Sequence, residues 1–209
     1  LSLNMKHLHF KWNLLSGICW VGIPASIQNI LNVFGMTILN NTTAKYGTDV
    51  VAAMGIAQKI NMIPVYILLG MSQGIMPLIG YTYSNGNFNR LKKTYCFSVL
   101  FSIFFSAVMV IFYILNAKTL ISVFTTKTSI ISYGQYFLRG LCFSLPFLSI
   151  DFLTLGVYQS CGKGHMSLFL AILRKMILEI PVIYLLDFYF PIYGVSYAQM
   201  IAVIVLATI

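Results

Sequence analysis

Of 209 residues, 59% are hydrophobic and only 8% charged, and the mean hydropathy is +0.87. A soluble domain carries about a quarter charged residues, so too few polar groups exist here to cover a water-facing surface, and the class that remains is an all-α polytopic membrane protein. The net charge of +9 does not indicate a nucleic-acid partner: the 13 Lys and Arg lie mostly between apolar runs, and only four acids oppose them, Asp49, Asp151, Glu179 and Asp187.

The elements follow from apolar runs, since a spanning helix needs about 20 such residues. Before the first run lie Lys6, His7, His9 and Lys11; two histidines without a third ligand do not make a metal site. Leu14 to Ala44 is uncharged and reads as the first span. It contains Pro24 and the amides Gln28, Asn29, Asn32 and Asn40. Gln28 and Asn32 share a helix face with Asn29 beside it, and amides facing lipid would be costly, so they line a cavity or bond to a neighbouring helix. Asn41-Thr42-Thr43 matches a glycosylation sequon only by spacing. The tight connection Lys45 to Asp49 leads to the second span, Val50 to Tyr83, interrupted by Lys59 at about mid-bilayer depth. This span also holds Gln58, Ser72, Gln73, Pro64, Pro77, and Gly70 and Gly74 at GxxxG spacing, extended by Gly80; the small residues predict close helix contact.

Asn85 to Lys93 reads as a turn with the basic cluster Arg90, Lys92 and Lys93, followed by a third span from Thr94 to Ala117. Asn116 to Lys127 reads as a longer polar segment. The fourth span, Ser129 to Ser160, contains Arg139, Pro146 and Asp151, with Tyr158 and Gln159 near its end. Cys161 to His165 is a glycine hinge. The fifth span, Met166 to Leu186, contains Arg174, Lys175, Glu179 and Pro181; Phe190 to Gly194 is a short turn, and Val195 to Ile209 begins a sixth span. Long uniform runs do not alternate as barrel strands do. Six helices in one transmembrane domain, residues 1–209, are expected. Both ends look cut, since the chain begins at Leu1 and the last run meets Ile209 without a polar stop, although Met5 could serve as a start.

A proline removes a backbone hydrogen bond and kinks a helix. Pro24, Pro64, Pro77, Pro146 and Pro181, all inside expected spans, predict bent helices around a cavity. Charges inside a bilayer cost about 3 kcal/mol at its centre on insertion scales, so Lys59, Asp151 and Glu179 should face the bundle interior. Glu179 lies four residues after Lys175, which permits a structural ion pair. Asp151 has no cation at helical spacing; it either binds a proton or sodium ion or pairs with Lys59 from another helix. Cys19, Cys96, Cys142 and Cys161 form no CxxC pair and read as small buried hydrophobes. HExxH, GxSxG and Walker patterns are absent, and no enzyme is expected. Counting basic residues in alternate segments, with Lys6, Lys11, Arg90, Lys92, Lys93 and Lys163 against Lys45, Lys118 and Lys127, predicts a cytoplasmic N-terminus and a multi-pass plasma-membrane location.

Several runs together resemble one family. They are Gly22-Ile23-Pro24 with Gln28-Asn29; Leu39-Asn40-Asn41, Tyr46-Gly47 and Ala52-Ala53-Met54-Gly55-Ile56; and Gly70-Met71-Ser72-Gln73-Gly74 with Pro77, Gly80-Tyr81 and Arg90. Tyr136-Phe137-Leu138-Arg139 with Pro146-Phe147, Tyr158 to Lys163, and Tyr193-Gly194-Val195 follow in order. The chain resembles the C-terminal half, helices seven to twelve, of a bacterial multidrug and toxin extrusion (MATE) transporter. The resemblance implies a six-helix lobe, half of a pseudo-symmetric twelve-helix bundle, that exports organic cations or drugs by alternating access in exchange for sodium ions or protons. The partners it implies are the lipid bilayer and an N-terminal lobe; no cofactor beyond the coupling ion is implied. Asn32 stands where some relatives carry an acid, Lys59 where an arginine is common, and Asp151 is an added acid. A lipid-linked-oligosaccharide flippase of the same superfamily, which needs a strongly basic cavity, and a non-transporting remnant are the alternatives.

Overall fold

The computed structural model describes the backbone of residues 12–208 and the side chains of residues 16–20 and 22–206. His7, His9, Lys6 and Lys11 lie outside the described residues. The chain runs α1 (Trp12–Ala44), α2 (Thr48–Ser84), α3 (Phe88–Ser122), α4 (Thr128–Cys142), α5 (Leu145–Ser160) and α6 (Gly164–Ile172). A π-helical turn (Leu173–Glu179) joins α6 to α7 (Ile180–Tyr189), and a 3₁₀ turn (Gly194–Tyr197) leads into α8 (Ala198–Thr208). Among the described residues no strand occurs. Three helices, α1 to α3, are each long and apolar enough to cross a membrane, and α4 with α5 forms a fourth crossing bent by 45°. The six expected spans thus appear as α1, α2, α3, α4–α5, α6 to α7, and α8.

The lobe is apolar outside as well as in: its core holds Met54, Leu68, Phe137, Leu138 and Leu145, and large apolar side chains also cover its outer faces. On α3, the large residues Phe97, Leu100, Phe101, Phe104, Ile111 and Leu115 point outward, while Ser102, Ser106, Tyr113, Ala117 and Ile121 are buried. With lipid outside there is no hydrophobic penalty for exposing Phe, and small residues let backbones approach. Buried serines satisfy themselves locally: Ser102 and Ser106 donate to the carbonyls of Val99 and Ile103. α2 is the central helix, packed against α3, α4 and α5, whereas α1 packs along α6 and α8 lies against the π-turn.

Polarity marks where a helix leaves the membrane rather than where it ends. The basic cluster Arg90, Lys92 and Lys93, expected in a turn, is helical, because the Asn87 side chain accepts the Arg90 backbone N–H at 3.1 Å and starts α3 at Phe88. The polar segment expected from Asn116 is also helical as far as Ser122. Gly86 and Gly162 adopt φ of +67° and +72°, the left-handed region that suits glycine. The next N–H at each site, Asn87 or Lys163, reaches back to the carbonyl of Thr82 or Tyr158 at 3.0 and 2.9 Å, which closes α2 and α5 with Schellman bonds.

The prolines are accommodated individually. Pro146 occupies the first turn of α5, beyond the 45° break, and Pro181 the first turn of α7, just after the π-turn. Pro24, Pro64 and Pro77 lie inside helices. Pro64 has no N–H to give the carbonyl of Ile60, and the buried Tyr113 hydroxyl of α3 donates to that carbonyl instead, at 2.9 Å. The carbonyl that Pro64 leaves free in α2 thus becomes a point of contact with α3.

Close helix approach occurs, but not at the expected motif. A β-carbon on Gly70 or Gly74 would meet nothing within 4 Å, so GxxxG makes no tight contact within this lobe. Both lie on the open stripe of α2 with Ile63, Tyr66 and Pro77, opposite the packed stripe of Ala53, Ala57, Leu68 and Ser72. Of the expected small-residue face only Gly80 comes close to a neighbour, with a β-carbon position 3.3 Å from the Ser160 carbonyl of α5. A tighter crossing of α2 and α5 is at Gly156, where a β-carbon would fall 2.6 Å from the Ser72 hydroxyl, itself donating to the Phe152 carbonyl at 2.6 Å. The cysteines also differ from expectation: Cys142 is buried, Cys161 half-buried, and Cys19 and Cys96 sit on outward faces.

Tyr113→Phe should orphan the Ile60 carbonyl and lower stability by about 1–3 kcal/mol, the cost of an unsatisfied buried acceptor. Adding Pro64→Ala, which restores the backbone N–H, should recover most of the loss. Thermal unfolding of the three variants in detergent measures both steps.

Candidate functional site

α1, α2, α5 and the π-turn together line a cavity of about 380 Å³. α1 supplies Gln28, Asn29 and Asn32 to its wall, and α2 supplies Gln58, Ser72 and Gln73, so five of the six expected cavity residues are brought together. The sixth, Tyr158, is not on the wall; its neighbour Gln159 is, since successive helical residues point in different directions. The amides are organised. Gln28 donates to the Ser167 hydroxyl at 2.8 Å, and Gln159 donates to Gln28 Oε1 at 3.1 Å and to Ser167 at 3.2 Å. One polar cluster thereby joins α1, α5 and α6. Asn61, next on the inward face of α2, keeps a buried Oδ1 without a hydrogen-bond partner among the described residues.

The π-turn holds the charges. Pro181 cannot donate to the carbonyl of Ile177, and the N–H of Ile180 instead bonds to Lys175 O, five residues back. The wider turn brings Arg174, Lys175 and Glu179 all inward, each at most 7% exposed. Lys175 Nζ donates to Glu179 Oε1 at 2.7 Å, which realises the expected i, i+4 pair, and both residues line the cavity. Glu179 Oε2 is buried without a hydrogen-bond partner among the described residues.

Asp151 is buried on α5, but its partner is Arg174, not Lys59. Arg174 also reaches Asn32 Oδ1 on α1 at 3.4 Å and lies over the Phe152 ring at 5.9 Å. Lys59 is exposed on α2, turned away from the buried Gln58 and Ile60 on either side of it. It takes no part in the cavity wall. The expected Lys59–Asp151 pairing fails because α2 presents its packed stripe to α5, and Lys59 is off that stripe. Arg174 was readable in the sequence as a third charge within one apolar run. What hid its role was the π register, and the signal for that register is Pro181 following three charges that must all avoid lipid.

At one end of the lobe the acids serve structure. Asp187 accepts from the Tyr46 hydroxyl at 2.7 Å and lies 3.5 Å from Lys45; Asp49 accepts from Ser129 at 2.7 Å and lies 3.9 Å from Lys127. The hydrogen bond to the Asp187 carboxylate raises the Tyr46 phenol above its ordinary pKa. His165 packs its ring 6.2 Å from Trp20, and among the described residues no group of three metal-ligating side chains occurs.

A bent bundle whose charged, amide-lined cavity opens between its first two helices fits a family already characterised. The profile described as MatE matches residues 24–185. The chain belongs to the MatE family. The multidrug export protein MepA of Staphylococcus aureus strain NCTC 8325 / PS 47 is 31% identical over 205 residues, covering 96% of this chain and 44% of MepA. The MepA protein of Staphylococcus haemolyticus strain JCSC1435 is 28% identical over 207 residues, covering 97% and 44%. The chain thus spans less than half the length of these MatE relatives. Two solved structures have the same fold. An outward-facing multidrug resistance MATE family transporter of the MOP superfamily aligns with a TM-score of 0.90 at 23% identity, over 100% of this chain and 47% of that one. The Vibrio cholerae MATE transporter VcmN in its bent form aligns with a TM-score of 0.89 at 19% identity, over 99% and 47%. The expected membership, fold and half-length extent of the match all stand.

Asp151→Asn leaves Arg174 buried without its carboxylate and should cost about 3–5 kcal/mol, whereas the doubly neutral Asp151→Leu/Arg174→Met should lie within about 1 kcal/mol of the parent or above it. Lys59→Gln should shift stability by no more than about 0.5 kcal/mol. Thermal midpoints in detergent separate these outcomes.

Proposed function

We propose that this chain is the C-terminal lobe, one transmembrane domain over residues 1–209, of a secondary antiporter. It exports organic cations across the plasma membrane in exchange for sodium ions or protons. The observation that carries the proposal is the cavity itself, an amide-rich wall with a buried carboxylate on it. Gln28, Asn29, Asn32, Gln58 and Gln73 offer donors and acceptors to varied substrates, and Glu179 offers them a negative charge. The names of the MepA relatives, multidrug export proteins, support the substrate class.

The partner is a second six-helix lobe. The support is the length of the relatives, together with the unpacked stripe of α2 around Gly70 and Gly74 and the outward Ile30, Val33 and Phe34 of α1. Gly70, Gly74 and Pro77 are on the exposed stripe of α2, where the two lobes would meet. Pro24, Pro64, Pro146 and Pro181 shape the bends on which one lobe rocks against the other. The chain's N-terminus is cytoplasmic on the count of basic residues, Lys6, Lys11, Arg90, Lys92, Lys93 and Lys163 in the segments on its side against Lys45, Lys118 and Lys127 on the other.

Asp151 is the coupling group. A proton or sodium ion on its carboxylate loosens Arg174, which bridges α5 to Asn32 on α1, and the lobe changes state. The balance of buried charge favours organic cations over an anionic lipid headgroup. Each buried cation in the cavity region has its own acid, Arg174 with Asp151 and Lys175 with Glu179, and no net positive field results.

The test uses the full-length transporter in liposomes, with ethidium export driven by a sodium or a proton gradient. The doubly neutral Asp151→Leu/Arg174→Met, chosen because it should fold, is expected to export at least about tenfold more slowly under either gradient, a rise of about 1.4 kcal/mol in the barrier. Gradient-driven export at the parental rate would sink the coupling role of Asp151.

A further inference from the structure

Lys175 and Glu179 differ from the other buried pair in one respect. In the other pair only Arg174 reaches the cavity wall, its carboxylate partner Asp151 lying off it, whereas Lys175 and Glu179 are both on the wall. Glu179 is 3% exposed, and only one of its two oxygens is engaged; Oε2 is buried and free of any hydrogen bond among the described residues. The α1 backbone closes over the pair at Gly35, where a β-carbon would stand 3.4 Å from Lys175 Cδ and Nζ and 3.6 Å from Glu179 Oε1. The facing helices bring no competing charge. The described part of α1 has no ionisable residue near the pair, and α8 has none at all. Arg174, the next residue, is occupied by Asp151.

A carboxylate in such a wall cannot stand empty without a large desolvation cost. A second charge fixed on the protein solves this, provided it can leave. Lysine suits that role, being a compact point charge on a flexible four-carbon stem that holds one oxygen and leaves the other open. We propose that Glu179 is the cation-recognition group of this cavity and that Lys175 is its resident, displaceable counter-ion, whose place an organic cation takes on binding. This deepens the reading given under Proposed function and rests on it for the substrate class.

The empty lobe keeps Glu179 neutralised and is free to change conformation. The bound cation is opposed by a freed ammonium turned into the cavity, so it is held weakly enough to be released, as a conducting or carrying site requires. The geometry also ranks ligands. A planar amidinium can engage both carboxylate oxygens at once, including the unoccupied Oε2, whereas a quaternary ammonium has no N–H to donate.

The experiment uses the full-length transporter with two ligands of similar size, benzamidinium and phenyltrimethylammonium. They are read as inhibitors of ethidium export in liposomes, and separately by the rise in thermal midpoint they produce on the detergent-solubilised protein. In the parent, benzamidinium should bind the more tightly. Lys175→Gln should tighten benzamidinium by about tenfold, roughly one charge-assisted hydrogen bond, and lower the maximal export rate. Glu179→Gln should weaken benzamidinium by about tenfold and abolish the preference for it. The double variant Lys175→Gln/Glu179→Gln should fold as well as the parent yet bind like Glu179→Gln.

The proposal is overturned if Lys175→Gln weakens both ligands or leaves them unchanged, or if the double variant recovers parental affinity, since the pair would then be structural only. If the parent exports no ethidium but its thermal midpoint still rises with benzamidinium in a Glu179-dependent way, the export reading fails and this one stands. Absence of any Glu179 dependence in the thermal measurement overturns this one alone.

Discussion

The bond between Arg174 and Asp151 is the constraint around which the lobe is arranged. Neither group can remain charged in a bilayer without the other, so α5 and the π-turn must meet where they do. Arg174 extends the tie to Asn32, which brings α1 to the same point. The cavity is what is left between α1 and α2 once this knot is tied. A close crossing of α2 and α5 at Gly156 fixes its back wall.

The same need for partners governs the backbone. Inside a membrane no water satisfies a stranded carbonyl, so each proline leaves an acceptor that a neighbour must meet. Tyr113 answers Pro64 with a hydroxyl from another helix, and Pro181 is answered by a change of helical register within its own segment. In the first case the freed carbonyl becomes a helix–helix contact. In the second the change of register becomes the means by which three charges in one short stretch all turn inward. Functional groups and helix breakers are adjacent in this chain for a mechanical reason.

Much of this was legible in the amino-acid sequence, and what was not has a common cause. The span order, the amide face of α1, the depth of Asp151 and the Lys175–Glu179 pair follow from periodicity and from the cost of burying polar groups. The partner of Asp151 did not, because Lys59 and Arg174 are equally basic on paper and only the facing of α2 tells them apart. Gly70 and Gly74 advertise a close contact that belongs to no neighbour within this lobe, while Gly156, which has no motif around it, makes one. The start of α3 differs from expectation because a capping asparagine, not polarity, sets where that helix begins. Pairwise facing and register are properties of the assembled bundle, and a single chain of letters encodes them only through their side effects.

The pairing of each buried cation with its own acid has an electrical consequence. Moving one elementary charge through the full membrane potential is worth about 2.3 kcal/mol per 100 mV. The two ion pairs at the core carry none in sum, so a rocking movement that displaces them together does no work against the voltage. The membrane potential then acts on this lobe chiefly through whatever the cavity has taken up or released. An occupied and an empty lobe feel the field differently, and that difference gives an exchange of unlike cations its direction.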